Sequence, residues 1–122
     1  MAFTKEDFIK LVKSAAANGV SDIHIRTNER PCFRLRGDLV PVKTEPYSYD
    51  DVKDIALIIM KDEAKKANID NEKEVDGSYT IPKICRVRYN LFRYQGKMGI
   101  ILRLINAEIP TTEELGIPPI VN

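Results

Sequence analysis

The chain has 122 residues, of which 43% are hydrophobic, and a formal net charge of +1. That is the size of one domain with a substantial core, and the near-neutral balance means that any charged site on it is local. The longest apolar run, Ile55 to Met60, is far too short to span a membrane, and the charged opening MAFTKEDF predicts a helix start rather than a signal peptide.

Thr4 and Asp7 form a capping-box pattern ahead of Phe8, Ile9, Leu11, Val12, Ala15 and Ala16, which share one helical face. Asn18-Gly19 is expected to end that helix. Ser21 to Arg26 alternates, with Ile23 and Ile25 inward and Asp22, His24 and Arg26 outward. Pro31 to Arg36 alternates likewise, Phe33 and Leu35 against Cys32, Arg34 and Arg36. Gly37-Asp38 is turn chemistry and Leu39 to Lys43 a third short strand, which together predict an antiparallel meander with one wet face.

Ser48 is expected to open a second helix, with Asp50 and Asp51 in its positively polarised first turn. Val52, Ile55, Ala56, Ile59 and Met60 make its buried stripe, widened by Leu57 and Ile58. Lys61-Asp62 interrupts it ahead of a third helix through Ala67, followed by an acidic stretch to Asp76. Glu74 to Ile81 predicts a fourth strand, Pro82-Lys83 a turn, and Ile84 to Ile105 a β-hairpin closed at Gln95-Gly96. Beyond it, Glu108-Ile109-Pro110 leads into a helical turn from Thr112 to Leu115, which Gly116 stops. Residues 1–115 thus predict one domain, and 116–122, with Pro118 and Pro119, a linker towards a further element. The order of elements predicts an α+β fold, helices packed on one face of a mostly antiparallel sheet.

The hairpin carries the strongest chemical signal. Val87, Tyr89 and Leu91 share one face of its first strand, and Arg86, Arg88 and Asn90 the other. A two-residue loop puts Arg88 directly opposite Arg103; a three-residue loop would slide it opposite Leu102. Like charges so placed repel, so the pair calls for a carboxylate or an outside anion. From Gly77 to Ala107 there is no Asp or Glu, whereas Lys83, Arg86, Arg88, Arg93, Lys97 and Arg103 all lie inside that stretch. Paired arginines suit phosphate because a planar fork holds two oxygens at once. The plainer reading is that these are solvated strand residues, or that they pair with Glu74 and Asp76 on a neighbouring strand.

Other chemistry lacks support. No G-x-x-x-x-G-K-[ST] loop and no glycine-rich dinucleotide fingerprint occur. Cys32 and Cys85 stand far apart without a Cys-x-x-Cys, which argues against zinc and fits thiols in a reducing cytoplasm, a disulfide between them being the alternative. His24 is the only histidine, and a strand-edge hydrogen-bonding role fits it better than a catalytic one. Tyr89, Phe92 and Tyr94 interleave with arginines, as in a single-strand stacking platform, but aromatics at strand spacing more often serve the core, so no nucleic-acid partner is expected.

Several segments carry a resemblance in family order across nearly the whole chain. They are Ser21-Asp22-Ile23-His24-Ile25, Arg34-Leu35-Arg36-Gly37-Asp38-Leu39, Asp76-Gly77-Ser78-Tyr79-Thr80-Ile81-Pro82, Arg86 to Arg93, and Glu108 to Gly116. With these the chain resembles the N-terminal domain of the twitching-motility retraction ATPases (PilT-like) of the type II/type IV secretion superfamily. Lys83-Ile84-Cys85 replaces a glycine-containing turn common in relatives. The resemblance implies a PAS-like α+β domain followed by a RecA-like P-loop ATPase domain. It implies a homo-hexameric motor using ATP and Mg²⁺, with no cofactor and no turnover expected of this domain alone. It also implies a position at the cytoplasmic side of a bacterial inner membrane, reached through a pilus platform protein and without insertion into the bilayer. The start at a short helix points towards retraction rather than extension. In the family, strand arginines reach the nucleotide phosphates held on the ATPase domain; the matching positions are Arg88 and Arg103, with Arg93 and Arg86 as weaker candidates. The rival reading is a stand-alone PAS-like sensor or interaction module without ATPase activity, which needs a closed small-molecule pocket between sheet and helices.

Overall fold

Capping boxes start both long helices. Thr4 accepts from the Asp7 amide while Asp7 accepts from the Thr4 amide, opening α1 (Lys5–Ala17), and Ser48 and Asp51 do the same for α2 (Tyr49–Ile59). In this computed structural model, which describes residues 3–105, the remaining elements are β1 (Asp22–Arg26), β2 (Cys32–Leu35), β3 (Asp38–Pro41), α3 (Glu63–Ala67), β4 (Glu74–Ile81), β5 (Cys85–Tyr94) and β6 (Lys97–Ile105). A 3₁₀ turn (Ile69–Asn71) follows α3, whose N-cap is Asp62. The expected helical turn at Thr112–Leu115 and the linker at 116–122 lie outside the described residues.

The strands form one six-stranded antiparallel sheet in the order β3-β2-β1-β6-β5-β4. Local hairpins build its two halves, and a single long-range pairing of β1 with β6 joins them. Thr27 fixes that join: its buried Oγ1 donates to the Met98 carbonyl at 2.8 Å and accepts from the Met98 amide at 3.1 Å. At the other end the Leu104 amide donates to the Ser21 carbonyl at 2.9 Å.

One face of the sheet is covered. Phe8, Leu11, Val12 and Ala15 of α1 and Val52, Ile55, Ala56 and Ile59 of α2 meet Ile23, Ile25, Val87, Leu91, Met98, Ile100 and Leu102, most of them fully excluded from water. Side chains therefore fill the space between sheet and helices, where a sensor would need an enclosed cavity. A depression lined by Phe3, Leu11, Phe33, Val42 and Tyr47 among others opens to the surface instead. Cys85 is buried and Cys32 half-buried, both free thiols. No helix among the described residues is long and apolar enough to cross a membrane.

Three local expectations shift. The β2–β3 turn is Arg36-Gly37 (φ 54° and 87°), not Gly37-Asp38, so Asp38 opens the third strand. Two consecutive positive φ values give the turn whose twist matches the flanking strands. The β4–β5 loop takes three residues, Pro82 to Ile84, because Ile81 pairs with Cys85, and Lys83 occupies the left-handed region at φ 67°. Asp22 lies on the wet face as expected, yet it is only 8% exposed, for a reason that the site explains.

Candidate functional site

The Gln95-Gly96 loop adopts φ 49° and 77°, and the hairpin register follows: Arg88 is the cross-strand partner of Arg103. The uncovered face is then ruled by rows that run straight across the sheet. One row reads Leu39, Arg34, Asp22, Arg103, Arg88, Ser78 from edge to edge. The next reads Pro41, Cys32, His24, Ile101, Asn90, Asp76. Three cations and one anion thus stand abreast on neighbouring strands, where directly opposed side chains have Cβ atoms only ~5 Å apart.

The carboxylate comes from where the hairpin's own sequence cannot supply it. Asp22 Oδ1 lies 3.3 Å from Arg103 Nε, and Oδ2 lies 3.7 Å from Arg34 Nε. Flanked by two arginines, Asp22 is shielded from water although it faces outward. Arg103 keeps a 72% exposed side chain, and among the described residues its terminal nitrogens have no partner. Arg88 is exposed and, among the described residues, its side chain makes neither ion pair nor hydrogen bond. Glu74 and Asp76, the carboxylates that the plainer reading assigns to the arginines, both accept from Asn90 Nδ2 instead, at 2.9 and 2.6 Å. Asp76, Arg88, Asn90, Ile101 and Arg103 line an open depression of about 420 Å³. It offers two planar forks to an anion from outside.

The weaker candidates separate. Arg86 is exposed on the same face as Arg88, opposite Thr80 and Ile105. Arg93 is on the helix side, as alternation expects, and each of its three guanidinium nitrogens has a partner: they donate to the carbonyls of Glu72 and Ile69 and to Tyr49 Oη, and the group stacks on the Tyr49 ring. Arg93 is a strut between α2, the 3₁₀ turn and β5, not part of the paired site. Burial, with Arg34 and Arg26 nearby, pushes the His24 imidazole below its usual range against the opposing pull of Asp22. Phe92 and Tyr94 carry the Arg26 guanidinium over their rings at 5.9 and 5.6 Å, and Tyr89 is buried. The faces of these two rings are thus already in use. Among the described residues no cluster of His, Cys, Asp and Glu is gathered to hold a metal ion.

Known proteins share this layout. Over 110 residues the chain is 30% identical to the type IV pilus retractation ATPase PilT of Pseudomonas aeruginosa, a match that takes in 90% of the chain and 32% of that protein. The crystal structure of the pilus retraction motor PilT with bound ADP superposes with a TM-score of 0.72 at 29% identity, over 90% of the chain. This chain is a PilT-like N-terminal domain. The PilT-like domain spans about a third of the length of the curated relatives it matches. The Legionella pneumophila ATPase DotB shares its fold, with a TM-score of 0.73 at 23% identity over 97% of the chain. No family profile matches the chain.

Arg34 and Asp22 are the site residues that sequence reasoning missed. Alternation placed both on the wet face, and the short meander could have paired them with each other. Nothing in the order of residues showed that β1 would lie beside β6.

Proposed function

We propose that this domain is the N-terminal part of a homo-hexameric pilus-retraction or secretion motor. In this reading Arg88 and Arg103 grip the phosphates of a nucleotide held on an ATPase domain of its own or a neighbouring subunit. The observation that carries the reading is the cross-strand pair itself: two guanidinium groups on one uncovered face, their terminal nitrogens unpartnered among the described residues. Such a pair fits a polyphosphate better than a single cation would, since each fork can take two oxygens. Hydrolysis moves charge onto the β/γ oxygens, and preorganised donors aimed there lower the barrier. The arginines would also register the loss of the terminal phosphate, and a swing of the domain about residues 116–122 would turn that change into movement. ATP and Mg²⁺ belong to the whole motor; this domain supplies only the arginines. A platform protein at the cytoplasmic side of the inner membrane completes the reading as the motor's partner.

In the full-length motor, Arg88→Ala or Arg103→Ala should cut ATP turnover on the order of 100-fold while leaving the domain folded. Normal turnover in both variants would remove the phosphate role. The domain alone should show no hydrolysis above background in the same assay.

A further inference from the structure

We propose that Asp22 is the positioning residue for Arg103: it holds the guanidinium by its elbow nitrogen, so that the terminal fork stays aimed outward beside Arg88. The inference rests on the phosphate reading of that pair.

The contact is one-sided. Asp22 Oδ1 reaches Arg103 Nε at 3.3 Å, and among the described residues the terminal nitrogens of Arg103 form no hydrogen bond or ion pair. A carboxylate that competed for the phosphate site would take the fork bidentately. A free arginine would have to be ordered at the moment of binding, at an entropic cost that a long side chain makes large. The elbow contact avoids both: it restricts the side chain and leaves the fork open.

Asp22 is itself held in place. Its side chain is 11% exposed, against 72% for Arg103. Oδ2 accepts from Ser21 Oγ at 3.4 Å and faces Arg34 Nε at 3.7 Å. Arg34 is anchored in turn, donating from Nη1 to the Gly37 carbonyl at 3.0 Å. The backbone on either side is pinned by Ser21, whose amide donates to the Arg34 carbonyl and whose carbonyl accepts from the Leu104 amide. Arg34, Asp22 and Arg103 therefore form a fixed relay from the β2–β3 turn to the paired site. The carboxylate also offsets part of the repulsion between Arg88 and Arg103, which lets two like charges stand opposite each other.

The test is a double-mutant cycle on ATP turnover in the full-length motor, using Asp22→Ala, Asp22→Asn, Arg103→Ala and the Asp22→Ala/Arg103→Ala pair. Asp22→Ala should lower kcat on the order of 10-fold through misplacement of the fork. Asp22→Asn, whose amide oxygen still accepts from Nε, should recover most of that loss. In the Arg103→Ala background Asp22→Ala should add nothing. Tighter nucleotide binding with unchanged kcat in Asp22→Ala would make Asp22 a mere competitor and overturn the inference. So would an equal loss in both backgrounds, which marks a role in folding, or an Asn variant no better than Ala. Normal turnover in Arg103→Ala instead overturns the phosphate reading beneath it. A readout without turnover is the Arg103 Nε–Hε resonance of this 122-residue chain, which should stay dispersed in Asp22→Asn and collapse towards the free-arginine position in Asp22→Ala. A resonance unmoved in Asp22→Ala overturns the proposal even if Asp22→Asn behaves as expected.

Discussion

Arg88 and Arg93 sit on the same strand, both in a stretch without acids, yet their surroundings oppose each other. Arg93 points to the helix side, where two backbone carbonyls and a tyrosine hydroxyl take its donors. Arg88 points to the uncovered side, where among the described residues nothing does. The difference is one of parity along a strand: an odd offset moves a side chain to the other face. A guanidinium on the covered face must be satisfied internally or destabilise the fold, because unmet buried polar groups are costly. On the open face water can serve it. The same residue type is therefore structural on one face and available for binding on the other.

Substitutions on the two faces sharpen the contrast. Leu91→Ala, which empties a fully buried position of the covered face, should cost about 3 kcal/mol in chemical denaturation. If instead it costs as little as Ile101→Ala on the open face, the assignment of faces is wrong. Arg93→Ala removes a cation that satisfies two carbonyls and should cost about 2 kcal/mol, seen as a midpoint lowered by roughly 10 °C. Arg88→Ala should leave stability within ~0.5 kcal/mol of the parent, with any change upward as a like-charge contact is relieved. An Arg88→Ala variant that melts like Arg93→Ala would show that Arg88, too, is part of the framework.

The smallest effect concerns His24. Its imidazole is held below the ordinary value of 6.5 by burial and by Arg34 and Arg26, with Asp22 opposing. The unfolded chain therefore binds the proton more readily than the folded one. The resulting stability is present above pH 6.5 and is lost as pH falls through the lower folded value. His24→Gln should flatten that part of the stability–pH curve, and a curve of unchanged slope would show that His24 does not cause it.

Most of the architecture was readable because its signals are local. The Thr4/Asp7 and Ser48/Asp51 boxes, the apolar stripe from Val52 to Ile59 and the Gln95-Gly96 turn each act within a few residues, and each element formed where its signal lay. Turn boundaries slipped at Arg36-Gly37 and Pro82–Ile84, since a positive φ can be taken by Arg36 or Lys83 where a neighbouring glycine or proline suggested otherwise. The face of Arg93 was legible from alternation, but the carbonyls that receive it, from Ile69 and Glu72, were not.

By itself the order of residues set Arg88 opposite Arg103 on condition of a two-residue turn at Gln95-Gly96, and the folded hairpin has that turn. What it could not determine is what answers their charge. Asp22 lies 81 positions before Arg103, and only the packing of Ile23, Ile25, Ile100 and Leu102 against the two helices brings those strands side by side. That pairing is decided by burial of the whole core at once, not by any stretch of sequence that can be read alone.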